Sequence, residues 1–153
     1  MRILILLFLL LSPISGHAAD AIALDSSVFV EREVPTAGGK TKTVLEEPKV
    51  VIPGDRLVFI LQYRNTGTQS AKDFVVTNPM PAPVAYQGTS DTVAQVSVDG
   101  GKTFAPLASL KVREADGAER AARPEDVTHV RWVLHEPIAA GAQGKLSFRG
   151  VVR

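Results

Sequence analysis

The chain has 153 residues, of which 17 are Lys or Arg, 16 are Asp or Glu and none is cysteine. Thiol catalysis and cysteine-ligated metal sites are thereby excluded, because both need the thiolate. A near-neutral chain has no long-range field to draw nucleic acid or an anionic membrane surface, and its length fits one domain able to bury its own core.

Met1-Arg2 precedes the apolar run 3–11, which is followed by Ser12-Pro13-Ile14-Ser15-Gly16-His17-Ala18-Ala19. A positive start, a short apolar core, a helix breaker and small residues at a peptidase site predict a secretory signal over residues 1–18, cut between Ala18 and Ala19. The apolar run falls short of the roughly 20 residues a membrane span needs. No cysteine follows it, so no lipid anchor and no integral membrane segment are expected after cleavage. Losing Arg2 leaves 16 basic against 16 acidic residues in 19–153. A secreted domain of this size does not depend on disulfides, although smaller ones usually do.

Beyond the signal, short β-branched and aromatic runs alternate with Gly, Pro and Asn clusters, the pattern of an all-β sandwich or barrel. Residues 27–34 and 42–46 flank Pro35-Thr36-Ala37-Gly38-Gly39-Lys40 and predict an N-terminal hairpin over 27–46. Pro53-Gly54-Asp55 is a turn, and 56–65 opens with apolar residues on both faces, as a central strand does. A strand over 73–77 leads into Asn78-Pro79-Met80-Pro81-Ala82-Pro83, expected to be a loop because its prolines lack amide donors. Strands are expected at 84–88 and 94–98, the second turning at Asp99-Gly100-Gly101 into a short strand at 102–104. The Ala-, Glu-, Arg- and Asp-rich stretch 113–126 predicts an exposed excursion with at most one helical turn. The closing strands are 127–134, where Trp132 shares the core register of Val130 and Leu134, and 144–153.

Val51-Ile52-Pro53-Gly54-Asp55, Tyr63-Arg64-Asn65-Thr66-Gly67, Val76-Thr77-Asn78-Pro79-Met80-Pro81, Val130-Arg131-Trp132-Val133-Leu134 and the Ala140-Gly141 turn occur in that order before the closing strand. Over residues 44–153 this series resembles the conserved repeat domain of bacterial surface proteins, the family known as domain of unknown function eleven. The resemblance implies an immunoglobulin-like antiparallel β-sandwich of about seven to nine strands in a secreted, cell-wall or outer-membrane protein. Asn78 stands where that family usually has Asp, and one copy replaces the usual tandem array. The Lys–Asn crosslink of some related modules is not carried over, because 145–153 contains no Asn.

Ser97-Val98-Asp99-Gly100-Gly101-Lys102-Thr103-Phe104 resembles the Asp-box, a structural hairpin of sialidases and related propellers. Here Asp99, Gly101 and Thr103 are expected to build a turn: the carboxylate accepts from turn amides, and Gly takes a backbone conformation other residues avoid. His129 and His135 are six positions apart, about 20 Å along one strand, too far for a shared metal or relay. Glu46-Glu47 and Glu125-Asp126 are expected to be solvated carboxylates. No glycine loop suited to phosphate and no Asp-rich calcium loop occurs, so no cofactor is expected. Asn78, Met80, Pro81 and Tyr86 form a candidate interaction loop. The expectation is a non-catalytic envelope module that meets an envelope or surface protein through that loop or by strand addition. The alternative is a chaperone-like periplasmic factor for surface-subunit assembly. An enzyme, such as a glycan hydrolase, rests on the Asp-box alone.

Overall fold

The computed structural model describes residues 22–153, so the expected signal over 1–18 lies outside the described residues. The fold is all-β, with ten strands and no α-helix among the described residues: β1 (Ile22–Pro35), β2 (Thr41–Glu46), β3 (Arg56–Asn65), β4 (Phe74–Pro79), β5 (Val84–Gly88), β6 (Ala94–Ser97), β7 (Lys111–Arg113), β8 (Glu119–Ala121), β9 (His129–Leu134) and β10 (Gln143–Val152). A five-stranded sheet runs β2-β1-β3-β10-β5, a three-stranded sheet runs β4-β9-β6, and β7-β8 is a separate hairpin. Every pairing is antiparallel. The eight strands of the two larger sheets match the expected number, and the small hairpin takes the total above it.

Alternation places Leu57, Phe59, Leu61 and Tyr63 of β3 on one face, in register with Val30 and Val28 of β1 and with Gly150, Phe148, Leu146 and Gly144 of β10. That face meets Val76 of β4, Val130 and Trp132 of β9 and Val96 of β6 in one core. Trp132 and Phe148 are both fully buried, with ring centroids 6.0 Å apart across the two sheets. Phe59 stacks on Phe148 with ring centroids 4.5 Å apart, and Tyr63 packs on Phe74 at 5.9 Å. Gly144 and Gly150 leave room for these side chains. A Cβ at Gly144 would strike the Tyr63 ring, and one at Gly150 would strike Val84.

A smaller cluster of Val30, Leu57, Val84 and Val152 fills one end of the five-stranded sheet. It is closed by residues 47–55, which leave β2 opposite Val30, step over β1 and enter β3, whose Leu57 lies opposite the same Val30 on the other side. Arg32 follows Val30 on the inward face and donates to the buried Asp55 at 2.6 Å, while Asp55 also accepts the Ile52 amide at 3.0 Å. Gly54 donates to the Val152 carbonyl and Val152 to the Asp55 carbonyl, which sews the crossing to β10.

At the opposite end of β3, Asn65 is 1% exposed and fully engaged. Its amide nitrogen donates to the carbonyls of Gln69 and Ile138, and its side-chain oxygen accepts from Gly67. One buried amide thus ties the β3–β4 connection to the β9–β10 connection, as a buried polar group must be satisfied to be tolerated.

The sequence expectation is met for β2, β3, β5 and β10 to within a residue at each end, and β3 is central. β6 matches as closely, whereas β1 begins five residues earlier, β4 ends two residues later and β9 begins two residues later than expected. Two further segments differ in kind. Residues 102–104 form no strand, because the turn after β6 returns only as the single bridge between Val96 and Ala105. The stretch 113–126 contains the end of β7, all of β8 and a 3-10 turn, Pro124–Asp126. Arg120 pairs with Asp126 at 2.6 and 2.9 Å and with Glu114, so Asp126 is not the solvated carboxylate expected of it.

Phe148→Ala removes the ring that both sheets share and is expected to cost about 3–5 kcal/mol. Trp132→Phe keeps most of the apolar volume and also removes the Trp132 indole N–H, which has no hydrogen-bond partner among the described residues. Its cost should be less than half as large, since an unpaired buried donor is itself unfavourable by about 1–3 kcal/mol. Urea unfolding of both variants checks the ranking.

Candidate functional site

The Asp-box-like turn is built as its residues predict. Ser97 is fully buried at the end of β6, and its hydroxyl donates to Asp99 at 2.7 Å and accepts the Gly101 amide at 2.9 Å. The Asp99 carboxylate accepts the amides of Thr103 at 2.9 Å and Lys102 at 3.0 Å. The Thr103 amide, the Ser97 hydroxyl and the Thr103 hydroxyl together hold Asp99 well below the usual carboxylate range. Gly101 has φ +87°, and its α-carbon faces the His129 ring, so a side chain there meets both a strained backbone and an aromatic wall. Thr128 links this turn to β9 by accepting from Gly100 and donating to the Ser97 carbonyl.

Phe104 is half-buried, with the Arg131 guanidinium 3.5 Å over its centre and the His129 ring edge-on. The hydrogen bonds of the turn run among its own residues and to Thr128, which makes it a fastener between β6 and β9. His129 opens β9, while the exposed His135 lies past the end of the strand; the two do not converge. Among the described residues no group of three His, Asp or Glu side chains could hold a metal ion.

The candidate interaction loop is dispersed. Asn78 and Pro79 end β4, paired with Val130 and His129, so the strand runs two residues into the expected loop. Pro79 is tolerated because it sits at the end of an edge strand. Met80 donates its amide to the Thr128 carbonyl and packs against both core clusters. Tyr86 points inward from β5, 8% exposed, 6.5 Å from Phe148. Burial, with Asp91 nearby, pushes its hydroxyl above the usual range. Of the four residues only Pro81 remains fully exposed.

The surface that remains open is a strand edge. β1 has 14 residues, but β2 pairs only with those from Val30 to Pro35. Residues 22–29 pair with β3 on one side and with no described strand on the other. An unpaired run of amides and carbonyls is a template for another strand, and proteins usually blunt it.

The other edges are blunted. β10 beyond Gly88 is capped by Thr89, which donates to the Ser147 carbonyl, and by Asp91, which accepts the Ser147 amide at 2.8 Å. β5 lies against the 3-10 turn Pro124–Asp126. β6 is bridged by Ala105. β4 is six residues long and ends in proline, and β2 is six residues long and carries Lys42, Thr43 and Glu46. Residues 22–29 carry a single charge, Asp25.

Beside that edge the inward face is also open. Leu24 is opposite Tyr63 and Ser26 opposite Leu61, yet Leu24 is 49% exposed, because the three-stranded sheet does not reach across β1. On the outward face Ala23, Asp25, Gln62, Arg64, Gln143 and Lys145 line a shallow depression. The sequence reading begins this strand at residue 27, five residues late, since Ile22-Ala23-Leu24-Asp25-Ser26 is weakly β-branched. The signal available was Pro48, which cannot donate and stops β2 from continuing alongside 22–29. Comparison with family models, with curated proteins and with solved structures gives no match.

The acid response follows from the paired carboxylates. Asp99, Asp55 and Asp126 all have folded values below their unfolded ones, Asp126 at about 2 through its Arg120 pair. Their contribution to stability is complete above roughly pH 4, the unfolded carboxylate value, and is lost as pH falls through the lowered folded values. Asp99→Ala is expected to unfold at a lower temperature at neutral pH and to lose less on acidification than the parent chain. Thermal melts between pH 7 and pH 2 check the sign.

Proposed function

We propose that this chain is an exported, non-enzymatic module of the bacterial envelope, with an immunoglobulin-like arrangement of its two sheets, that joins a protein partner by strand addition at residues 22–29 of β1. The observation that carries the reading is the unblunted edge: eight residues with one charge, beside an exposed Leu24, where the other sheet edges among the described residues are short, charged, bridged or capped. In strand addition the main-chain hydrogen bonds supply affinity, and alternate side chains select the partner. Here Leu24, Ser26 and Val28 present themselves on the inward face, while Ala23, Asp25 and Ser27 do so on the outward face.

Export rests on the residues of 1–18. The resemblance to bacterial surface domains supports an envelope setting, and the motif Tyr63-Arg64-Asn65-Thr66-Gly67 that carries part of it is the segment where Asn65 locks two connections together. No helix among the described residues is long and apolar enough to cross a membrane.

A photo-reactive residue placed at Leu24 in living cells is expected to form a protein adduct, while the same residue at Asp116, in the exposed turn of the β7-β8 hairpin, forms none. Labelling that is equal at both positions, or absent from Leu24, removes the edge as the working surface. Sequencing the N-terminus of the protein from the exported fraction is expected to begin at Ala19. A chain that starts at Met1 and stays in the cytoplasm removes the export reading.

A further inference from the structure

We propose that the outward face of the five-stranded sheet binds an acidic saccharide, one carrying a carboxylate, in the depression over residues 23–25, 62–64 and 143–145. Strand addition uses the main chain of residues 22–29, whereas this site presents side chains, so either stands if the other fails.

The residues that line the depression are three consecutive rungs of the ladder β1-β3-β10: Ala23-Arg64-Gln143, Leu24-Tyr63-Gly144 and Asp25-Gln62-Lys145. Alternation sends the side chains of the middle rung to the core face, where Tyr63 packs on Phe74 and its ring fills the place a Gly144 side chain would take. The middle rung therefore gives the outward face only its backbone. The two flanking rungs rise on either side of it, about 6.7 Å apart, and run about 10 Å across the three strands. The space between them is about 550 Å³, within the roughly 300–1,000 Å³ of small-molecule sites.

The walls are polar, and their chemistry selects the ligand. Ala23 is the only apolar side chain on the two flanking rungs, so an apolar ligand or the apolar anchor of a protein partner finds nothing to bury against. Two carboxamides, a carboxylate, a guanidinium and an ammonium instead offer donors and acceptors to hydroxyl groups. Arg64 and Lys145 are diagonal neighbours, about 7–8 Å apart at the backbone, near enough for both to reach one carboxylate placed between them.

Among the described residues neither cation has a carboxylate within ion-pair distance, although Arg32, Arg120 and Arg149 each hold one. Arg149, on the same face, crosses β3 to Glu31 at 2.9 Å. Lys145 and Asp25 stand on one rung with Gln62 between them and do not pair. Asp25 is the single acid in the depression, set against two cations, and a neutral sugar leaves that imbalance unanswered.

Titration of the isotope-labelled protein with digalacturonate, followed by its amide chemical shifts, tests the site. The expected result is shifts confined to the three rungs, with a Kd at or below roughly 1 mM. Arg64→Gln and Lys145→Gln are each expected to weaken binding roughly tenfold, because each removes one charge-assisted contact from an exposed face. Lys102→Gln, in the turn at Asp99, changes nothing. Circular dichroism confirms that each variant is folded. Equal affinity for the neutral disaccharide cellobiose, or for inorganic phosphate, overturns the acidic saccharide as the ligand. Amides of these rungs that stay unmoved at roughly 10 mM digalacturonate, or binding that survives both variants, overturns the site itself.

Discussion

The contact on which the molecule depends is the meeting of Trp132 and Phe148 across two sheets of unequal size. A three-stranded sheet can cover only part of a five-stranded one. β9 sets Trp132 over Phe148 of β10, and β4 sets Phe74 over Tyr63 of β3. Coverage ends there, because β4 is the last strand of its sheet, whereas β1 and β2 still extend beyond β3. The inward face of β1 must therefore find other cover or remain wet.

Both outcomes occur along that one strand. From Val30 onward the crossing segment 47–55 supplies a roof, and Arg32 and Asp55 hold it down. A cation on a core-facing strand position is tolerable only with an anion beside it, and a buried Asp only with donors on its oxygens. Asp55 has both, and the Arg32 hydrogen bond is the main cause of its lowered pKa. Toward the start of the strand no described segment takes that role, and Leu24 and Ser26 stay exposed on the inward face of an unfinished core. The boundary between the closed and open halves of β1 falls at Val30, the residue at which β2 ends and β3 enters.

Much of this was legible from the residues alone, and the reasons differ by element. The apolar run of β3 announced a central strand, because burial on both faces removes the polar half of the alternation. Trp132 and Val130 fell in the core by simple parity. The turn at Asp99 was readable since its hydrogen bonds are local and the residue types are tied to their roles. What escaped were consequences of pairing over long distances. Tyr86 looks like a loop aromatic in the sequence, but its strand is hydrogen-bonded to β10, more than sixty positions away, and parity then sends it inward. Asn65 reads as a turn residue, yet its second acceptor is the Ile138 carbonyl from another connection. The proline cluster suggested a loop beginning at Asn78, but an edge strand needs donors on one side only, which lets Pro79 stay in register.

The open edge is itself imposed by the connection that closes the core. For β2 to shield residues 22–29 it would have to continue past Val30 for eight more positions, roughly 26 Å down the strand at about 3.3 Å per residue. The chain would then have to return the same distance to enter β3 opposite Val30. The nine positions from 47 to 55 separate the two strands, and they are already spent on crossing β1 and seating Asp55 on Arg32. Pro48, second in that segment, withholds the amide that a longer ladder would need. Closing the Val30–Leu57 cluster and covering the start of β1 are thus alternatives for the same stretch of chain. The edge left free is a consequence of topology, not of loop flexibility, and it is held in place by the nine residue pairs that bind β1 to β3. A strand so supported on one side offers an incoming chain an ordered ladder, and the entropy of ordering falls on the newcomer alone.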